Sequence, residues 1–196
     1  LFDGMSCARI ALKELGIKVD KYYASEIDKH AIKQTMLNFP DTIQIGSVTE
    51  VDARKLGHID LLCGGSPCTN FSFAGRRNGM NTTTNEEIYT LDRYLELKRQ
   101  GFEFDGESFL FWEYMRILGE VRETNPDVLF FLENVEMGEK WESVLTKAIG
   151  IPGVHINSAL VSAQNRRRIY WTNIRTKTEG LFGWTVPDIP QPEDRG

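Results

Sequence analysis

The chain has 196 residues, 41% hydrophobic and 26% charged, with 23 Lys+Arg against 28 Asp+Glu and a formal net charge of −5. That length suits one compact α/β domain with a core of its own, and no apolar run approaches the span of a bilayer. The three cysteines are odd in number and the three histidines are scattered, which argues against a disulfide framework and a metal site and for a reducing compartment. An acidic chain is not an obvious nucleic-acid binder. Two local patches, Arg76-Arg77 and Arg166-Arg167-Arg168, run against the total. The opening LFDGMSCARI does not read as a secretory signal.

Elements alternate along the chain. Leu1-Phe2 reads as the end of a strand. CARIALKELG (7–16) has helical spacing at Ala8, Leu12 and Leu15, with Gly16 as a stop. KYYAS (21–25) reads as a strand and IDKHAIKQTMLNF (27–39) as a helix ended by Pro40. TIQI (42–45) and HIDLLC (58–63) read as strands. Residues 64–107 lose regularity, apart from a weak helical piece, TLDRYLELKR (90–99). A loop region that long in a compact domain is usually functional. SFLFWEYMRILGEV (108–121) predicts a helix stopped before Asn125-Pro126, DVLFFL (127–132) a buried strand, and EKWESVLTKAI (139–149) a helix. HINSALVS (155–162) and RRIYWTNI (167–174) can pair antiparallel. VPDIPQPEDRG (186–196), with three prolines, reads as a linker.

Strand–helix alternation predicts a mostly parallel sheet with helices on both faces and ligands outside the carboxyl ends of the strands. The residues at those ends are Asp3-Gly4, Glu26, Gly46-Ser47-Val48, Gly64-Gly65-Ser66-Pro67-Cys68 and Glu133-Asn134. Turns favour Gly, Ser, Asn and Asp in any such protein. Cys68 and Glu133 are harder to explain as turn chemistry.

Asp3-Gly4 with Glu26 on the next strand end resembles a nucleotide-binding half, the acid accepting from ribose hydroxyls. GxGxxG is absent, which favours a nucleoside without phosphates over a dinucleotide. A tight turn beside a surface carboxylate is the plainer account, and these residues alone do not separate the two. Arg76-Arg77 reads equally as a phosphate contact or a solvated pair. Arg166 and Arg168 share one face of a strand, so two guanidiniums stand side by side and need anionic or acceptor partners; an edge salt bridge would also satisfy them. A lone cysteine is most often a small buried hydrophobe, and neither a GxSxG elbow nor a P-loop surrounds this one.

Five segments in order carry more than any one of them. LFDG (1–4), ASEID (24–28), PCTNFS (67–72), LENV (132–135) and QNRRRIYW (164–171) resemble the DNA cytosine-5 methyltransferases across residues 1–174. The flavour is that of the bacterial and phage enzymes and, at LFDG and SFLFWEYMRIL, of the vertebrate de novo methyltransferases. The resemblance implies a Rossmann-like S-adenosylmethionine-dependent fold, α/β, mostly parallel with an antiparallel edge hairpin. It implies methyl transfer from S-adenosylmethionine to carbon 5 of a cytosine extruded from double-stranded DNA. Cys68 would be the nucleophile, Glu133 would hold the exocyclic amine and ring nitrogen 3, and Arg166 and Arg168 would contact the base carbonyl and steady the catalytic loop. Ser72 and the arginines at 76–77 would approach phosphates. Phe2, Asp3, Gly4, Glu26, Ile27, Ser47, Val48, Pro67 and Leu110 would form the cofactor site. Ser47 stands where the family has an acid, which implies reduced cofactor affinity. Cys7 and Ala8 stand where glycines are common, which implies a crowded cofactor loop.

The resemblance divides the chain into a catalytic domain over 1–185 and a linker over 186–196, leading toward a target-recognition region that the sequence does not contain. The chain alone is then expected to methylate poorly. It further favours a monomer over an oligomer, in the cytoplasm of a bacterial or phage-infected cell, with no membrane or metal partner, and leaves open a restriction-modification system, phage defence or a lone methylation role. The rival readings are a tRNA cytosine-5 methyltransferase, a non-catalytic accessory subunit and a nicotinamide-dependent oxidoreductase, the last disfavoured by the missing glycines.

Overall fold

The computed structural model describes residues 1–67, 80–83, 86–177 and 186–188. Helix α1 spans Cys7–Glu14, strand β1 Tyr23–Ala24, α2 Lys29–Asn38, β2 Ile43–Gln44 and β3 Leu61–Gly64. They are followed by α3 Leu91–Arg99, α4 Leu110–Thr124, β4 Leu129–Val135, α5 Glu139–Ile149, β5 Val154–Asn157, β6 Arg167–Thr172, β7 Arg175–Lys177 and β8 Val186–Asp188. Local chemistry sets the helix ends. Asp28 Oδ1 accepts from the His30 and Ala31 amides at 2.7 and 2.8 Å and starts α2. Thr90 caps α3 through the Arg93 amide. Gly150, at φ 82°, closes α5 in the left-handed conformation that favours glycine.

β1 and β2 pair in parallel, as do β3 and β4. The N-terminal segment stitches the two pairs together. The Leu1 amino group donates to Cys63 O at 2.7 Å, and the Asp3 amide donates to Ser25 O at 3.2 Å. Beyond β4 the direction reverses: β6 lies between β4 and β5, antiparallel to both, in the order β3-β4-β6-β5. This is the mostly parallel α/β arrangement with an antiparallel edge hairpin. After Thr172 side chains continue the pairing. Asn173 Oδ1 accepts from the Phe130 amide and its Nδ2 donates to Val128 O.

The core centres on α4. Phe111, Trp112, Tyr114, Ile117, Leu118 and Val121 are buried with Leu62 of β3 and Phe130 and Leu132 of β4. α5 contributes Trp141, Leu145 and Ile149, packed with Ile169 and Trp171 of β6. The alternation of β4 and β6 then puts Phe131, Glu133, Arg168 and Tyr170 on the opposite, half-buried face.

Three elements differ from the sequence expectations. β4 continues through Glu133, Asn134 and Val135 instead of stopping at Leu132, because β6 pairs alongside as far as Arg168 opposite Val135. The segment 155–162 is strand only to Asn157. Its side-chain oxygen accepts from the Ala159 and Arg166 amides at 3.1 Å each, and this turns Ser158–Leu160 into a 3-10 helix. Val186–Asp188, the first residues of the expected linker, pair as β8 with β7. The remainder of that stretch lies outside the described residues. No helix among the described residues is long and apolar enough to cross a membrane.

Candidate active site

At the carboxyl end of β3 the chain runs Gly64-Gly65-Ser66-Pro67 beside the end of β4. Neither glycine has a positive φ, so they are not there to turn the chain. They are there for space. A Cβ on Gly64 would lie 2.7 Å from the ring carbons of the buried Tyr114, and one on Gly65 would lie 3.2 Å from Glu133 Oε2. Asn134 ties the two strand ends, its Nδ2 donating to Ser66 Oγ at 3.1 Å and to Ser66 O at 3.4 Å. Ser66 is buried, and Pro67 is the last described residue before Cys68. Cys68 itself, with Ser72, Arg76 and Arg77, lies outside the described residues.

Glu133 meets both arginines. Its Oε1 accepts from Arg168 Nε at 2.7 Å and from Arg166 Nη2 at 3.2 Å. Two guanidiniums on one face thereby share one carboxylate oxygen, which answers the need for an anionic partner. Tyr170, directly opposite Glu133 in the ladder, packs its ring tilted against Phe131 at 5.3 Å between centroids. Burial, and then the Glu133 charge, push its phenol above the ordinary value. Sequence reasoning missed Tyr170. Its two-residue spacing from Arg168 on β6, continued by Arg166 just before that strand, was the available signal. Of the other cysteines, Cys7 is exposed, and burial pushes the Cys63 thiol up, which leaves Cys63 a poor nucleophile.

The cofactor candidates gather on the neighbouring strand ends. Glu26 is fixed by three backbone amides: Oε2 accepts from Gly4 at 2.8 Å, and Oε1 accepts from Ile27 at 2.7 Å and Asp28 at 2.9 Å. A carboxylate oxygen has lone pairs beyond one or two such bonds, so Glu26 retains acceptor capacity for hydroxyls. Ser25 Oγ donates to Gly46 O at 2.8 Å and joins this edge to the loop of Ser47 and Val48. Ser47 Oγ bonds Thr49 Oγ1 at 2.8 Å and accepts from the Thr49 amide at 3.3 Å. Val48 is buried, Phe2 and Leu110 are half-buried, and Ile27 is 73% exposed.

Asp3 is turned inward. Its carboxylate accepts from the Tyr22 hydroxyl at 2.5 Å and from the Ser6 hydroxyl. It braces the loop from within. The backbone takes left-handed φ values at Phe2 (54°), Gly4 (57°) and Ser6 (60°). The crowding expected at Cys7 and Ala8 therefore falls on Ser6, because Cys7 and Ala8 already belong to α1. Among the described residues, no group of three His, Cys, Asp or Glu side chains could hold a metal.

This arrangement has counterparts. Residues 1–141 match the family described as C-5 cytosine-specific DNA methylase. The orphan methyltransferase M.SPRI of Bacillus phage SPR is 31% identical over 188 residues, which is 89% of this chain and 37% of that protein. The type II methyltransferase M.NgoBV of Neisseria gonorrhoeae is 29% identical over 189 residues, which is 93% of this chain and 42% of that protein. The chain thus spans about two fifths of the length of these relatives. Among solved structures, a prophage-encoded protein of E. coli described as a DNA modification methyltransferase superposes with a TM-score of 0.59 at 19% identity. That superposition covers 98% of this chain and 52% of the other, so the fold likeness extends past the matched segment to the hairpin of Arg166 and Arg168. With the match running unbroken from the Glu26 edge through Pro67 to Glu133 and Asn134, the chain belongs to the C-5 cytosine-specific DNA methylase family.

Proposed function

We propose that this chain supplies the catalytic domain of a DNA cytosine-5 methyltransferase, acting on duplex DNA in the cytoplasm of a bacterial or phage-infected cell. The catalytic domain is taken as residues 1–185, and the pairing of β8 with β7 supports extending it through Asp188. One observation carries the reading: Glu133, held by Arg166 and Arg168, stands against Gly65, and its neighbour Asn134 bonds Ser66, two residues before Cys68.

Carbon 5 of cytosine is not nucleophilic while the ring is aromatic. The Cys68 thiolate forms a bond to carbon 6, and the electrons of the 5,6 double bond move toward ring nitrogen 3 and the carbonyl. Glu133 takes the exocyclic amine and shares a proton with nitrogen 3 where that charge develops. Arg168 and Arg166 fix the carboxylate and reach the base carbonyl. S-adenosylmethionine, when bound, supplies an electrophilic methyl group to carbon 5. Loss of the carbon 5 proton then restores the double bond and expels Cys68. Phe2, Gly4, Glu26, Ile27, Ser47, Val48, Pro67 and Leu110 hold the cofactor, with Glu26 on the ribose hydroxyls and Asp3 shaping the loop from behind. A serine at 47 accepts from the adenine amino group more weakly than an acid would, which lowers affinity.

A duplex carrying 5-fluorocytosine tests this, because carbon 5 then has no removable proton. A protein–DNA adduct should accumulate only with S-adenosylmethionine and vanish in Cys68→Ser. An adduct that persists in Cys68→Ser would remove Cys68 from its role. Transfer to tRNA but not to DNA would replace the substrate.

A further inference from the structure

Between β2 and the 3-10 turn at Ala53–Lys55 the chain is irregular, and this loop carries Ser47 and Val48. A loop leaves its own carbonyls and amides to be satisfied by something else. Here buried charges satisfy them. Arg116 of α4 donates Nη2 to Val48 O at 3.0 Å and Nη1 to Val51 O at 2.9 Å. The same guanidinium is held by Glu113 at 2.7 Å and by Glu120 at 2.6 Å. Lys98 of α3 donates to Thr49 O at 3.3 Å and to Glu113 Oε1 at 2.5 Å. Glu120 Oε2 accepts from the Ala53 amide at 2.9 Å. Tyr94 completes the set by donating to Glu113 at 2.5 Å.

Glu113 and Glu120 face Arg116 and Lys98, and Arg54 also approaches Glu120 at 3.3 Å. The cavity of about 650 Å3 beside it is lined by Thr49, Asp92, Leu95, Lys98, Arg99 and Arg116. Buried ion clusters of this kind rarely add stability over an apolar packing, because desolvation offsets the attraction. What a planar, multiply bonded guanidinium does supply is fixed geometry. Three loop carbonyls, those of Val48, Thr49 and Val51, are pinned to two helices by charged donors. Nothing else among the described contacts holds those carbonyls.

We propose that Arg116, oriented by Glu113 and Glu120, is a positioning residue that sets the 46–52 loop for the adenosine end of the cofactor. The proposal rests on the cofactor reading above. Arg116→Lys keeps the charge that Glu113 and Glu120 require but cannot span two carbonyls. Calorimetry with the 196-residue chain should show S-adenosylmethionine and methylthioadenosine both weakened by the same factor, about tenfold. Hydrogen exchange at the Glu50 and Ala53 amides should speed up while β3 and β4 stay protected. Lys98→Met, which removes the Thr49 and Glu113 bonds of Lys98 and leaves the Arg116 bonds to Val48 and Val51, should cost about threefold and serves if Arg116→Lys does not fold. Unchanged affinity in either folded variant, or losses that accompany loosening of β3 and β4, would overturn the proposal. A wild-type chain that binds neither ligand would instead sink the cofactor reading.

Discussion

Gly64 and Gly65 make room for different things, and substitution should separate them. Gly64→Ala drives a methyl group into the Tyr114 ring, which is fully buried. Overpacking of this kind costs about 1–3 kcal/mol, readable as a lower urea midpoint. Gly65→Ala meets only the Glu133 carboxylate. Its stability should stay within about 1 kcal/mol of wild type, while methyl transfer falls on the order of a hundredfold because the carboxylate is displaced from its arginines. A Gly65→Ala enzyme with normal turnover would show that Glu133 tolerates movement. At this scale the sequence is legible where residue type and chemistry coincide: two arginines on one face need an anionic or acceptor partner, and in space that partner is Glu133. It is illegible where direction matters. Nothing in LFDG says that Asp3 points toward Tyr22 and not toward a ligand. Likewise, the room made by Gly65 exists only because a strand far along the chain brings Glu133 there.

The hairpin depends on a close approach at its entry. A Cβ on Gly153 would stand 2.5 Å from Ile169 Cγ2 and 3.0 Å from the Trp171 ring, both fully buried. Gly153→Ala should destabilise by about 1–3 kcal/mol. It should also lower activity beyond what the stability loss explains, since Arg168 sits on the displaced strand; equal losses in Gly153→Ala and a distant core variant would argue otherwise. Helices were easier to read than strands. Periodicity and caps located α1, α2, α3, α4 and α5 to within a few residues, because a helix is decided by its own sequence. The end of β4 was not readable at Leu132, because only the partner β6 keeps the backbone paired to Val135. The charge network around Arg116 had a local signal that passed unused. Glu113, Arg116 and Glu120 fall at helical spacing inside an otherwise buried stretch of α4, where ions are retained only with partners.

For the molecule as a whole, a net charge of −5 limits its hold on DNA. The arginines at 76, 77, 166, 167 and 168 are the cations the proposed site offers to DNA, and two of them are engaged with Glu133. If all five met phosphates, the slope of log affinity against log salt would be no steeper than about −5. Titration of duplex binding against potassium chloride should find a shallower slope still for this chain; a steeper one would mean that a basic surface has been overlooked.

The placement of β6 has a consequence for how the protein is made. β5 is synthesised before β6, yet it touches the sheet only through β6. A nascent chain that has emerged only as far as Asn157 holds an orphan strand and a bare edge on β4, both open to passing polypeptide. The two later strands can meet each other first, since they are near neighbours in the chain, and then dock as a unit. The same docking brings Arg166 and Arg168 to Glu133. Assembly of the charged pair and closure of the vulnerable edge are one event, so no half-built chain carries a ready carboxylate with its arginines in place.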